Sequence, residues 1–481
     1  MSYEGRSYHG PPEYQCQNCG GGFWYAERVR SKSSVLLHRV IYNLCCKGGK
    51  VYIPPFKKPP AFLAKLLRFD GNSRAKRFVS KIRQYNCLFA FTSMGANIDR
   101  TINNSRGPNI FKISGQVSHR MGSLVPKIKD SPRFNGERES PKYLELYIYD
   151  TSNEVKNRIN AVNPDNDTNA NLDEVIVTGL VAMLNACNPL VQTLRMASER
   201  IKGNEDEHVS IRLVAPSDGD GPQYSLPTTS QLAALVVGDF TLEASCRDII
   251  IDSKQEGLKQ ICSLHPAFMS LQYPLLFPFA ERGFHLNIPY IGDVATKSGA
   301  RNTLTMQDYY CFVCHYRPDQ SNPYLCYGLL SSQAVVDARA SIDEARLWFI
   351  LRNQDKLRSD HFQGITDAVG EGFVDGEAVG KRTILPSSHI GGHRYFQENF
   401  QDALAISRVH SSPDIFSTFT CNPKWPEITE ALLLEPGQKP SDRADIVVRV
   451  YNMKLNEYLD DIKSGRAYGP IKAGTICYFC S

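Results

Sequence analysis

Four cysteines near the N-terminus have the residue types and spacing of a metal centre. Cys16 and Cys19 form a CxxC pair and Cys45 and Cys46 follow as neighbours, so four thiols fall within the first 46 positions. Tetrahedral zinc takes soft thiolate ligands, and a CxxC turn delivers two of them at the right separation. Adjacent cysteines suit the geometry less well, because their side chains diverge unless the backbone turns sharply. His38 is therefore a spare candidate for one of the four places. The alternative reading is four unrelated buried or free thiols.

A second chemistry is suggested by charge. Between Phe56 and Gln84 the chain carries Lys57, Lys58, Lys65, Arg68, Arg74, Lys76, Arg77, Lys81 and Arg83 against one acid, Asp70. That local excess is larger than the net charge of the whole chain, +5. Cations at this density can pair with phosphates, and interleaved aromatics such as Phe62 and Phe69 could stack on bases. The candidate DNA contacts are Lys57, Lys58, Lys65, Arg74, Lys76, Arg77, Lys81 and Arg83. A solvated amphipathic face is the bland alternative.

Other motifs carry less. Cys311-Phe-Val-Cys314-His315 has the C-x-x-C-H form of haem attachment, but TMQDYYCFVCHYRP reads as one continuous helix with no loop for a haem. Cys477 and Cys480 form a third CxxC with no partner pair nearby. Gly376-Glu-Ala-Val-Gly380-Lys381-Arg382-Thr383 falls short of a phosphate loop, since the glycines are one residue too close and Arg382 separates the lysine from the threonine. His389 and His393 stand four apart around a glycine pair, a spacing a metal could use. Glu427, Glu430 and Glu435 read as solvent-facing helix acids rather than a catalytic pair.

The elements that must position these groups are mixed. A chain of 481 residues, 42% hydrophobic and 22% charged, has the composition of an ordinary globular protein with several domains. No apolar run is long enough for a membrane span and the N-terminus lacks a signal-peptide core, so an intracellular chain with no membrane partner is expected. Alternation in Tyr143–Tyr149 predicts a strand, followed by a helix through Ile159 with Asp150 and Thr151 offering its N-cap. Helices are predicted at 173–186 and from Pro189, strands at 209–214 and within 235–252, and mainly helix over 304–360. Phe396, Phe400, Leu404 and Ser407 mark a helix with an inner face, Phe416–Thr420 a strand, and Ser441 the cap of a long helix. The class is α+β and multi-domain: a cysteine-rich module at 14–55, a basic segment at 56–87, an α+β unit at 88–215, a mainly helical region at 216–380 and a further α+β domain at 381–481.

Several idiosyncratic stretches, in order, resemble one family, the Helitron helicase-like proteins of rolling-circle transposons. They are CQNCGGGFWYAERV, CCKGGKVYIPP, FAFTSMGANIDRTINNSRGPNIFKISGQVSHRMGSLVP, LYIYDTSNEVKNRI, LHPAFMSLQYPLLFP, GKRTILPSS, RYFQENFQDALAI and DIFSTFTCNPKWPEI. The resemblance spans about residues 14–473. It implies a DNA-nicking nuclease that uses a tyrosine and a divalent metal held by a His-hydrophobic-His pair, fused to an ATP-dependent helicase. Phe416–Pro423 resembles the first strand motif of that nuclease. The His pair, the tyrosine motif and the helicase phosphate loop would follow beyond this sequence, so the 381–481 domain reads as an incomplete Rep-nuclease-like domain with no catalytic residue of its own. At the turn holding His389 and His393 the family more often has an aromatic and a proline, which points to a strand-to-helix turn and away from a metal site.

The functional expectation is a truncated Helitron protein that binds single-stranded or transposon-end DNA without nicking or unwinding it. Zinc would be structural, nuclear localisation follows the family, and intact relatives are a second class of partner. The alternatives are a non-catalytic structural remnant or pseudogene product, or an active nickase and helicase if the gene continues past Ser481.

Overall fold

The computed structural model describes residues 7–33, 40–98, 113–127, 138–162, 172–203, 209–213, 233–237, 249–252, 259–291, 302–318, 320–354 and 385–474. The chain divides into two compact units. The larger comprises His9–Ser341 and Lys424–Val447, the smaller Met1–Tyr8, Ile342–Pro423 and Val448–Ser481. Among the described residues the structure is rich in helix with a few short antiparallel strands.

In the larger unit, β1 (Tyr14–Gln15) and β2 (Gly22–Phe23) pair antiparallel, and the Cys16–Cys19 turn joins them. The basic stretch folds into α1 (Ala61–Leu66), α2 (Ser73–Ser80) and α3 (Ile82–Phe89). Apolar residues spaced three and four apart turn Leu63, Leu66, Phe78, Val79, Ile82 and Tyr85 inward. Asn72 starts α2 by accepting the Ala75 N–H at 2.9 Å.

Two antiparallel sheets follow. One has the order β3-β4-β8, with β3 at Ser93–Ile98, β4 at Ile113–Met121 and β8 at Lys259–Ile261. The other centres on β5 (Val209–Leu213), flanked by β6 (Ala233–Val237) and β7 (Ile249–Asp252). The strands expected at 209–214 and within 235–252 are these three.

The expected strand at Tyr143–Tyr149 is instead a 3₁₀ helix over Tyr143–Tyr147. Its carbonyls find side chains rather than a neighbouring strand. Arg195 donates to the Tyr147 carbonyl at 2.7 Å and Ser198 to that of Ile148 at 2.6 Å. Both donors lie on α6 (Pro189–Gly203), which follows α5 (Glu174–Cys187). Here α4 (Glu154–Val162) supplies Arg158, which is fully buried and whose guanidinium pairs with Glu154 at 2.7 Å. Glu154 also accepts from Arg195 at 2.6 Å, so one buried carboxylate is shared by two cations.

The LHPAFMSLQYPLLFP stretch forms α7 (Phe268–Gln272) and then a buried path through the core. Its three prolines have no N–H to leave unsatisfied. The remaining polar groups are met by neighbours: Asn86 donates to the Gln272 carbonyl at 2.9 Å and Thr92 to the Gln272 side chain at 2.5 Å. Two helices complete the framework, α8 (Met306–Val313) and α9 (Leu329–Arg352), of which residues up to Ser341 belong to this unit.

In the smaller unit the helix marked by Phe396 and Phe400 runs from His393 to His410, as its spacing predicts. Its expected inner face is only partly covered: Leu404 and Ser407 are half-buried, Phe396 and Phe400 are exposed, and none of its residues is fully buried. Phe416–Thr420 is also corrected: no strand is assigned there and Phe416 is 93% exposed. Phe419 stacks on Tyr458 with ring centroids 5.1 Å apart, and its carbonyl accepts from the Tyr451 hydroxyl at 3.1 Å. Side chains of the long Ala444–Lys463 helix thus hold the segment in place of a partner strand.

Candidate metal centre and basic face

The four N-terminal cysteines converge. Their sulfurs all lie within 4.8 Å of one another, with Cys16 Sγ 3.7 Å from Cys46 Sγ and Cys19 Sγ 3.4 Å from Cys45 Sγ. A tetrahedral zinc with bonds of about 2.3 Å would set its sulfurs roughly 3.8 Å apart, so the cluster is of the right size. Cys16, Cys45 and Cys46 are buried.

Two turns make this convergence. The first reverses at Gly20, which has φ +69°, and its N–H returns to the Cys16 carbonyl at 2.8 Å. The second answers the objection to adjacent cysteines, because the backbone does turn sharply. Lys47, Gly48 and Gly49 all have positive φ, and the Gly49 N–H points at Cys46 Sγ from 3.2 Å. Such an N–H aimed at sulfur favours the thiolate. All four places are filled by sulfur; His38 lies outside the described residues.

Thiols this close do not titrate independently. Hydrogen bonding to Cys16, then to Cys45 and Cys46, pulls Cys19 well below the usual thiol range. Cys16 and Cys19 in turn push Cys45 and Cys46 well above it. A divalent cation would end this competition by taking all four as thiolates, and the donor set and spacing fit zinc.

The module is held by the segment after α8. The helix expected to continue through TMQDYYCFVCHYRP ends at Val313, and Cys314 caps it. The chain then turns so that the Tyr316 carbonyl accepts the Gly22 N–H at 2.9 Å and His315 Nε2 lies 2.7 Å from the Tyr42 hydroxyl. His315 thus serves as a bridge to the cysteine module, a role that no local pattern in the sequence reveals. The neighbouring contacts of Lys47 reach the same region, at 2.9 Å from Asp308 and 3.0 Å from the Tyr290 hydroxyl.

Lys57, Lys58, Lys65, Arg74, Lys76, Arg77 and Arg83 are exposed, and Lys81 is half-buried. Arg74 is engaged by Asp173 at 3.0 Å and Arg68 by Asp70 at 3.2 Å. The aromatics expected among these charges do not share the surface freely. Phe78 is fully buried, and Phe56, Phe62 and Phe69 are half-buried against the core. The face can offer charge to phosphates but has no row of open rings for bases.

The other sequence candidates are not drawn into a site. Among the described residues the four cysteines are the only group of three or more metal-capable side chains. His389 and His393 flank a turn at Gly391 (φ +85°), and Gly392 precedes the helix. Glu427 corrects its expectation: it is fully buried and accepts the His9 N–H at 2.8 Å. The Gly376–Thr383 and Cys477–Cys480 motifs lie outside the described residues. Sequence reasoning also missed a buried node in which Asp337 accepts from the Tyr273 hydroxyl at 2.5 Å and lies 3.3 Å from His119 Nε2. His119 is 2% exposed, so this node braces the core.

Residues 309–478 match the family model described as the Helitron helicase-like domain at N-terminus. That third of the chain is similar to the Helitron helicase-like N-terminal domain. No curated protein matches it. The Helitron match begins inside α8, just before the residues that grip the cysteine module, and leaves the four cysteines and α1–α3 outside. No single helix among the described residues is long and apolar enough to cross a membrane.

Proposed function

We propose that this chain is a DNA-binding protein of the Helitron class, in which a zinc-stapled N-terminal module accompanies a basic face that contacts the phosphate backbone. The observation that carries the reading is the sorting of side chains over residues 57–83, the segment that leads into and forms α1–α3. Apolar residues go inward, and Lys57, Lys58, Lys65, Arg74, Lys76, Arg77 and Arg83 stay in solvent. Surface cations bind nucleic acid by releasing condensed counterions, which is independent of sequence and weakens steeply with salt.

The half-buried aromatics favour backbone contact over base stacking, so modest discrimination between sequences is expected. Zinc has a structural place here, since four protein sulfurs leave no open coordination position for substrate. Nuclear action follows from this reading, because the DNA of a eukaryotic transposon is there.

Fluorescence anisotropy with labelled single- and double-stranded oligonucleotides, across a salt series, tests the proposal. Binding whose logarithm falls linearly with the logarithm of salt supports it. Absence of binding at low salt, by a protein shown to be folded, overturns it.

A further inference from the structure

We infer that Arg317 is the counter-ion of a metal–tetrathiolate centre formed by Cys16, Cys19, Cys45 and Cys46, and so sets that centre's affinity for a divalent metal. The inference rests on the metal reading of the four cysteines and adds a residue from far along the chain.

Arg317 is 5% exposed, so its guanidinium is a buried charge. Among the described residues its polar partners are three carbonyl oxygens and one sulfur. Nε donates to the Cys19 carbonyl at 3.0 Å, and one terminal nitrogen to those of Phe312 at 2.9 Å and His315 at 3.2 Å. The other terminal nitrogen reaches Cys19 Sγ at 3.5 Å. The guanidinium carbon lies 3.9 Å from the centre of the Phe312 ring, which fixes its plane.

No carboxylate is among these partners. A buried cation met only by neutral dipoles is costly, and it persists where an anion lies beside it. Four neutral thiols would not supply one. Four thiolates around a divalent ion leave a formal charge of two minus, and Arg317 stands against the sulfur that bears part of it. Outer-sphere groups of this kind hold a ligand's orientation and offset its charge, and their loss typically weakens metal binding by roughly 10–100-fold. Arg317 also belongs to the Helitron-matched segment, so the centre's charge fastens the cysteine module to that domain.

The test uses the full chain and zinc or cobalt alone. Wild-type protein is titrated with Co²⁺, reading the thiolate-to-metal absorption, and zinc affinity is measured by chelator competition. The same is done for Arg317→Met and Arg317→Lys. The expected result is one metal per wild-type chain, a roughly 10–100-fold loss of zinc affinity in Arg317→Met, and a smaller loss in Arg317→Lys. If Arg317→Met is insoluble, recovery of soluble protein in zinc-supplemented medium supports the role, because excess metal offsets weaker binding by mass action. Insolubility that zinc does not relieve overturns it, as does wild-type affinity in Arg317→Met. Failure of the wild type to take up metal at all overturns the metal reading itself, a separate result.

Discussion

The Tyr42 hydroxyl and His315 Nε2 lie 2.7 Å apart, joining the cysteine module to the start of the Helitron-matched segment. Tyr42 is placed for this by the cluster itself: its ring stacks on Phe23 at 4.7 Å, and Cys16 Sγ lies 3.8 Å from its carbonyl. Loss of metal should therefore be felt at this contact. Chelation, or Cys45→Ser, is expected to abolish stoichiometric zinc and to open the module to limited proteolysis while leaving α4–α6 protected. Metal content by atomic spectroscopy and mass mapping of early cleavages would check both.

Acid should have the same effect as chelation, because each thiolate must be protonated for the metal to leave. Cobalt absorption followed during acidification should fall in a single transition, and neutralisation with metal present should restore it.

Removing Arg158 takes one of two cations from the buried Glu154 carboxylate. Glu154 would keep only Arg195 at 2.6 Å, and the Leu88 carbonyl would lose its donor. Leaving a buried charge wholly unpaired typically costs about 3–5 kcal/mol, and the retained Arg195 pair should keep the cost below that. Arg158→Met is expected to lower the urea midpoint accordingly, whereas exposed Lys156→Met should change it by no more than about 0.5 kcal/mol.

Charge reversal on α2 tests the proposed DNA face. Lys76→Glu with Arg77→Glu should weaken binding to all sequences alike. The log–log salt slope should fall by about 1.5, at roughly 0.7–0.9 for each phosphate contact. Lys156→Glu, on α4, should leave the slope unchanged.

Glu281 should make stability depend on pH in an unusual direction. Burial raises its carboxyl from the ordinary 4.5 to about 7, and Oε2 has no hydrogen-bond partner. Between those two values the folded chain keeps a proton that the unfolded chain has released, so stability from this group falls as pH rises through the window. The loss amounts to about 3 kcal/mol by pH 8. Glu281→Gln should match wild type near pH 5 and exceed it near pH 8 in urea unfolding.

The sequence revealed part of this and hid the rest for identifiable reasons. The cysteine cluster was legible because a CxxC turn is local and the second pair lies close behind it. The helices at 174–187 and 189–203 were legible from their apolar spacing and from Pro189. Arg317 was not, since its contact with Cys19 spans 298 positions and depends on α8 stopping at Val313. Alternation in Tyr143–Tyr149 misled because Leu144, Leu146 and Ile148 are buried, as a strand would require, but Tyr147 between them is buried too. Phe416–Thr420 has a strand's composition, yet a strand needs a hydrogen-bonding neighbour as well as the right residues.

The His393–His410 helix buries none of its side chains fully. A helix of such length is marginal in water on its own and owes its persistence to packing. Its amides should exchange with deuterium within seconds, far sooner than those of α3 or α5. Local opening of the chain therefore starts more readily at this helix than in the well-packed α3 or α5.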